Sequence, residues 1–101
     1  MNIFHITEQS TWQETKYHSF YEGDTLSVDG FIHCCLFEQI EDVLLNWFKE
    51  KHDVVILEID TEILLSPVKY ENLEGGLEMF PHVYGPINLD AVINEKPALK
   101  R

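Results

Sequence analysis

Apolar and polar positions along the chain divide it into segments of two periods. Asn2-Ile3-Phe4-His5-Ile6 is short, apolar and β-prone, which predicts a first strand. It runs into Thr7-Glu8-Gln9-Ser10, where Ser10 and Gln13 have the Ser-x-x-Gln spacing of a capping box, predicting a short helix from Thr11 to Tyr17 with Trp12 on the core. Tyr21-Glu22-Gly23-Asp24 reads as a loop or turn. Phe31-Ile32-His33-Cys34 follows the Val28-Asp29-Gly30 turn as a second strand.

The clearest helical signal runs from Leu36 to Lys51. Leu36, Phe37, Ile40, Val43, Leu44, Trp47 and Phe48 recur at spacings of three and four, with Glu38, Glu41, Asp42, Lys49 and Glu50 opposite. This predicts the helix that covers the core. Its acids lie mostly in the first turns and its lysines in the last, as the helix dipole prefers. The β-branched run Val54 to Asp60 predicts a central strand. Pro67 holds Ser66 extended and leads into Val68-Lys69-Tyr70-Glu71, an alternating strand expected near a sheet edge. Asn72 to Glu78 reads as a mobile loop, Val83 to Pro86 and Asp90 to Ile93 as further strands, and the residues after Pro97 as a frayed tail. Strand, helix, strand, helix, then mostly strands predicts an α+β fold, a mixed or largely antiparallel sheet with two helices packed on it.

Length then sets the scale. A chain of 101 residues is expected to form a single domain over 1–101, and one of this size removes roughly two thirds of its unfolded surface from water. A composition that is 45% hydrophobic and 12% aromatic indicates a packed globule. Eighteen acidic against seven basic residues give a formal charge of −11, a field that repels nucleic acid and anionic membranes. The only arginine is Arg101, so a phosphate site would have to use backbone N–H groups, lysine or histidine. Neither a secretory pattern nor a run of about 20 apolar residues is visible, and the expected location is the cytoplasm. Cys34 and Cys35 are adjacent, a strained geometry for a disulfide, and are expected to be free thiols.

Candidate chemistry centres on three of the five histidines, which lie in strand-like segments: His5, His33 and His82. A neutral imidazole offers one donor and one acceptor and titrates near physiological pH. His33-Cys34-Cys35 stands where a strand meets a helix, whose first N–H groups would favour an anion beside His33; Cys34 could bind a ligand there or simply fill core volume. In Phe80-Pro81-His82-Val83-Tyr84-Gly85-Pro86, period two puts His82 and Tyr84 on one face. Glu71 follows a strand and suits a general base, with Glu74 and Glu78 as competitors. The spacings match no short metal motif, although three histidines and a cysteine leave a His/Cys metal site as an alternative.

With those residues in view, the chain resembles the domain of unknown function 952 family. The resemblance rests on Phe4-His5-Ile6-Thr7, Trp12, Tyr21, Thr25-Leu26, Gly30-Phe31-Ile32-His33-Cys34, Gln39, Val55-Ile56-Leu57, Asp60, Val68, Glu71 and Phe80-Pro81-His82-Val83-Tyr84-Gly85-Pro86. It implies an ADP-ribosyltransferase-like fold, with nicotinamide dinucleotide (NAD) as a candidate cofactor or substrate. It further implies that His5, beside Thr7, holds a ribose, that Tyr21 or Tyr84 stacks on the nicotinamide, and that Glu71 orients a ribose hydroxyl. The family often has Ser where this chain has Cys35, so a weakly capped helix start is expected. The resulting expectation is a ligand pocket with His33, Glu71 and His82 as catalytic groups and His5, Thr7, Tyr21, Cys34 and Tyr84 as ligand-binding groups. It could serve a transferase or glycohydrolase. The competing expectation is a non-enzymatic acidic module for a basic protein partner.

Overall fold

The computed structural model describes residues 2–15, 17–72 and 76–98. Among the described residues every strand pairing is antiparallel. Strand β1 (Asn2–Glu8) pairs with β4 (Val54–Asp60), which also pairs with β8 (Val92–Pro97), so the β-branched run is central as its composition predicts. A second sheet has the order β3-β6-β5, formed by Ile32–His33, Phe80–Val83 and Val68–Glu71, and it puts β5 at an edge. The short pair β2 (Phe20–Tyr21) and β7 (Ile87–Asn88) completes the β structure. The fold is α+β.

Alternation along β1 and β4 explains the core. Ile3, Val55, Leu57 and Ile59 point to one face, where they meet Trp12, Tyr21, Ile32, Val83 and Ile87. Phe4, Ile6, Val54 and Ile56 point to the other, against Ile40, Val43, Leu44 and Phe48. Complete burial of a residue such as Leu57 or Ile59 contributes roughly 1.5–3 kcal/mol.

Several expectations are corrected. The first strand extends to Glu8, because Glu8 still pairs with Val54, and α1 occupies Gln9–Thr15 rather than 11–17. Gln9 N–H donates to the Asp53 carbonyl at 2.6 Å, so the helix starts on a backbone bond and Ser10 lies inside it, not at its cap. Trp12 does pack on the core, its Nε1–H donating to Glu95 Oε2 at 2.5 Å. The Leu36–Lys51 helix shortens to a 3-10 turn at Phe37–Gln39 and α3 at Ile40–Trp47. Phe37 and Trp47 are exposed at 72% and 64%, outside the core their spacing assigns them. Strand 83–86 is instead β6 at Phe80–Val83, fixed by pairing with β5. Asp90–Ile93 is a 3-10 turn at Leu89–Ala91 followed by β8.

Two short elements escape the period analysis. Tyr21 pairs with Ile87 rather than sitting in a turn, and α2 (Leu26–Asp29) fills the stretch before Gly30. Residues 73–75 of the predicted loop, including Glu74, and residues 99–101 of the tail lie outside the described residues.

Candidate functional site

The site forms where the second sheet meets α2. Gly30 ends α2 in the left-handed conformation, φ 85°, and its N–H donates to the Leu26 carbonyl. That reversal brings Asp29 back over β3, where His33 Nε2–H donates to Asp29 Oδ2 at 3.0 Å. His33 and His82 are register partners across β3 and β6, with ring centroids 5.4 Å apart and edge to face. Phe31 lies against both rings, stacked on His82 at 4.2 Å and tilted on His33 at 4.7 Å.

Glu71 organises the other side. One carboxylate oxygen, Oε1, accepts from the Tyr84 hydroxyl at 2.6 Å and from His82 Nδ1–H at 3.0 Å. These donors, Tyr84 first, hold the Glu71 carboxyl below the usual carboxylate range. The same contact raises the Tyr84 hydroxyl pKa, since losing its proton would set two negative charges side by side. Lys69 Nζ sits 4.9 Å from the Tyr84 ring centroid. With Nδ1–H given to Glu71, His82 keeps Nε2 as its acceptor, and no described residue hydrogen-bonds that nitrogen. His82 is only 5% exposed, yet no fully enclosed side-chain polar atom among the described residues lacks a partner. Nε2 is therefore not fully enclosed, and His82 lines a cavity beside it.

That cavity has a volume of about 740 Å³. His5, His33, His82 and Glu71 line it together with Thr7 and Cys34, while Tyr21 and Tyr84 do not. Phe4, Val43, Trp47, Phe48 and Phe80 supply apolar wall. Gln39, 4% exposed, ties the start of the 3-10 turn to the same wall: its Oε1 accepts from Leu36 N–H at 2.8 Å and its Nε2–H₂ donates to the Met79 carbonyl at 3.1 Å. The helical segment thus begins two residues after Cys35, and Gln39 rather than Cys35 satisfies its first turn. Nor do the N–H groups after His33 form an anion cradle. Cys34 N–H donates to the Pro81 carbonyl and Cys35 N–H to the Phe4 carbonyl.

His5 stands behind the pair. A carbonyl can only accept, so the 2.6 Å contact with the His33 carbonyl makes Nδ1 the protonated nitrogen, and Nε2 accepts the Tyr21 hydroxyl at 2.7 Å. Both ring nitrogens are engaged, leaving none for a ribose. Burial lowers the His5 pKa from 6.5 to about 4 and pushes the Tyr21 hydroxyl up to about 12. Tyr21 is fully buried, its ring against His5 and Trp12, and has no face open for stacking on a nicotinamide.

Both cysteines are free and buried, and burial raises their thiol pKa values, that of Cys35 to about 12. A thiolate nucleophile is disfavoured here. Among the described residues no three His, Cys, Asp or Glu side chains are arranged to hold a metal ion, and no helix is long and apolar enough to cross a membrane.

Asp29 and Phe31 are the functional candidates that sequence reasoning passed over. The signal available was the Asp-Gly turn four residues before His33. It becomes an Asp–His contact only when α2 and the left-handed Gly30 fold the chain back.

The architecture recurs in known structures. The crystal structure of protein CC0527 from Caulobacter crescentus superposes with a TM-score of 0.84 at 30% identity, covering 96% of this chain and 85% of that one. The solution structure of the same protein gives 0.79 at 31% identity, covering 94% and 82%. A crystal structure of its double mutant gives 0.84 at 28% identity, again covering 96% and 85%. No curated protein matches the chain. Residues 6–95 match the family described as protein of unknown function (DUF952), and the chain belongs to that family.

Proposed function

We propose that the protein binds a small molecule in the His33–His82 cavity and that the two histidines act on it as a general acid–base pair. The observation that carries this reading is the pairing itself. Two imidazoles meet edge to face across β3 and β6, each held by its own carboxylate, and both residues line the cavity. A carboxylate behind an imidazole fixes its tautomer and stabilises the imidazolium formed when the other nitrogen takes a proton. His82 Nε2 would accept a proton from water or a ligand hydroxyl, with Glu71 as counter-charge. His33, as an imidazolium whose Nε2–H stays with Asp29, would supply its Nδ1 proton to the departing group. The resemblance to the ADP-ribosyltransferase-like fold supports cleavage at a glycosidic carbon, and makes nicotinamide dinucleotide and its fragments the first ligands to test.

The test is a backbone amide NMR titration with nicotinamide dinucleotide, nicotinamide riboside and adenosine, together with an assay for nicotinamide release. Saturable shifts centred on Phe31, His33, Glu71 and His82 are expected with at least one of them. A hydrolytic version also requires turnover that His82→Gln lowers by about 10²–10⁴-fold. Absence of saturable shifts with all three at millimolar concentration overturns the reading.

A further inference from the structure

The charge of the cavity narrows what it can receive. Its lining includes Glu8, Asp24, Asp29, Glu71 and Glu78, and no lysine or arginine among the described residues. Two of these acids have a basic neighbour outside the lining: Lys51 Nζ is 3.7 Å from Glu8 Oε1, and Glu71 feels Lys69. Asp29 is bonded to His33, and Glu78 accepts from the Gln39 amide at 3.3 Å, a contact that leaves its charge intact. Asp24 has no hydrogen bond or ion pair to a described residue. The surrounding chain, at −11, adds to the same field.

A phosphate or pyrophosphate entering this space would meet carboxylates where it needs N–H donors, and the nearby backbone N–H groups of Cys34 and Cys35 are already spent on sheet bonds. Beside the histidines and threonines, the wall includes the aromatic residues Phe4, Phe31, Trp47, Phe48 and Phe80. Aromatic faces and carboxylates attract the same partner, a cation with little hydration. His82, 5% exposed, lines the same cavity, and its Nε2 has no hydrogen bond to a described residue.

We infer that the ligand of this cavity is an organic cation with an apolar or aromatic body, such as an amine, amidine or pyridinium, without a phosphate. This rests on the ligand-binding reading above. Within that reading it selects the cationic nicotinamide-riboside end of a dinucleotide over the pyrophosphate end. The histidine pair would then work beside a positive charge that the acidic wall neutralises.

The test uses ligands that share one body and differ in charge: tryptamine, tryptophol and indole-3-acetate, and in parallel nicotinamide riboside against its 5′-phosphate. Affinities come from calorimetry, and the site from amide shifts at Phe31, His33 and His82. Tryptamine is expected to bind at least tenfold more tightly than indole-3-acetate and than tryptophol, and the riboside more tightly than its phosphate. Both preferences should shrink at high salt and in Asp24→Asn. Equal or tighter binding of indole-3-acetate or the phosphate overturns the inference, and so does tryptophol equal to tryptamine. In either case binding at the site leaves the ligand-binding reading standing. Failure of every probe, including the dinucleotide and adenosine, overturns both.

Discussion

His33 and His82 are direct partners across the β3–β6 pair, and each gives one ring nitrogen to a different carboxylate, His33 to Asp29 and His82 to Glu71. The two imidazoles are therefore held by separate elements, one by α2 and the other by β5. Behind them, His5 accepts from Tyr21 and donates to the His33 carbonyl, which fixes the backbone that carries one of the pair.

This support can be removed one atom at a time. Tyr21→Phe deletes the hydroxyl that donates to His5 Nε2 and strands a buried acceptor, at a cost of about 1–3 kcal/mol. The melting temperature is expected to fall by roughly 4–8 °C per kcal/mol for a domain of this size. The amide shift of His33 should move as well, since its carbonyl is bonded to the same ring. A thermal melt and an amide spectrum check both.

Stability should depend on pH through His5. Its folded pKa of about 4 lies below the unfolded 6.5, so in that window the unfolded chain binds a proton that the folded chain refuses. The His5 contribution is complete above pH 6.5, declines as pH falls through the window, and is fully lost below about 4. The loss is at most on the order of 3 kcal/mol. Urea unfolding followed by tryptophan fluorescence across this range should show the decline in the wild type and a flatter profile in His5→Gln.

Glu71 behaves with the carboxylate sign. Its pKa is depressed by Tyr84 and His82, so the stability it contributes is present above the ordinary carboxylate value and is lost as pH falls through the lower folded value. Glu71→Gln removes that acid-side dependence. It also takes the shared acceptor from His82 Nδ1–H and the Tyr84 hydroxyl. Denaturant midpoints of both proteins followed from neutral to acid pH would fall in parallel if Glu71 were a bystander.

Gly85 has φ +148°, and a Cβ there would lie 2.5 Å from Ser66 Oγ, whose hydroxyl donates to the Pro86 carbonyl. Gly85→Ala must therefore combine backbone strain with displacement of that serine, destabilising the fold by about 1–3 kcal/mol. Gly30→Ala is strained too but meets no atom within 4 Å, and should cost less. Denaturant midpoints of the two variants decide it.

Cys34 and Cys35 should resist alkylation under native conditions, since burial shields both and disfavours their thiolates. Mass spectrometry after iodoacetamide treatment is expected to show labelling at the rate of unfolding. Rapid native labelling of Cys34 would show an accessible thiol and contradict its burial.

The sequence by itself determined what depends on local pattern and bulk composition. The β-branched run Val54–Asp60 is central, Val68–Glu71 is an edge strand, Trp12 is core, and the fold is α+β. Period two correctly brought His82 and Tyr84 to one face, where both bind Glu71. Only tertiary structure decided the rest, because side-chain direction across a sheet depends on register between segments distant in sequence. Pairing of His33 with His82 made a site of two separate motifs, and the Phe4–Cys35 bridge set β1 behind it. Strand pairing also lengthened β1 at the expense of the predicted cap. Burial made His5 a neutral link between β1 and β3 at the cavity wall, its two nitrogens bonded to groups 16 and 28 residues away. Composition showed that the chain is acidic, and the fold gathered five of those acids around one cavity.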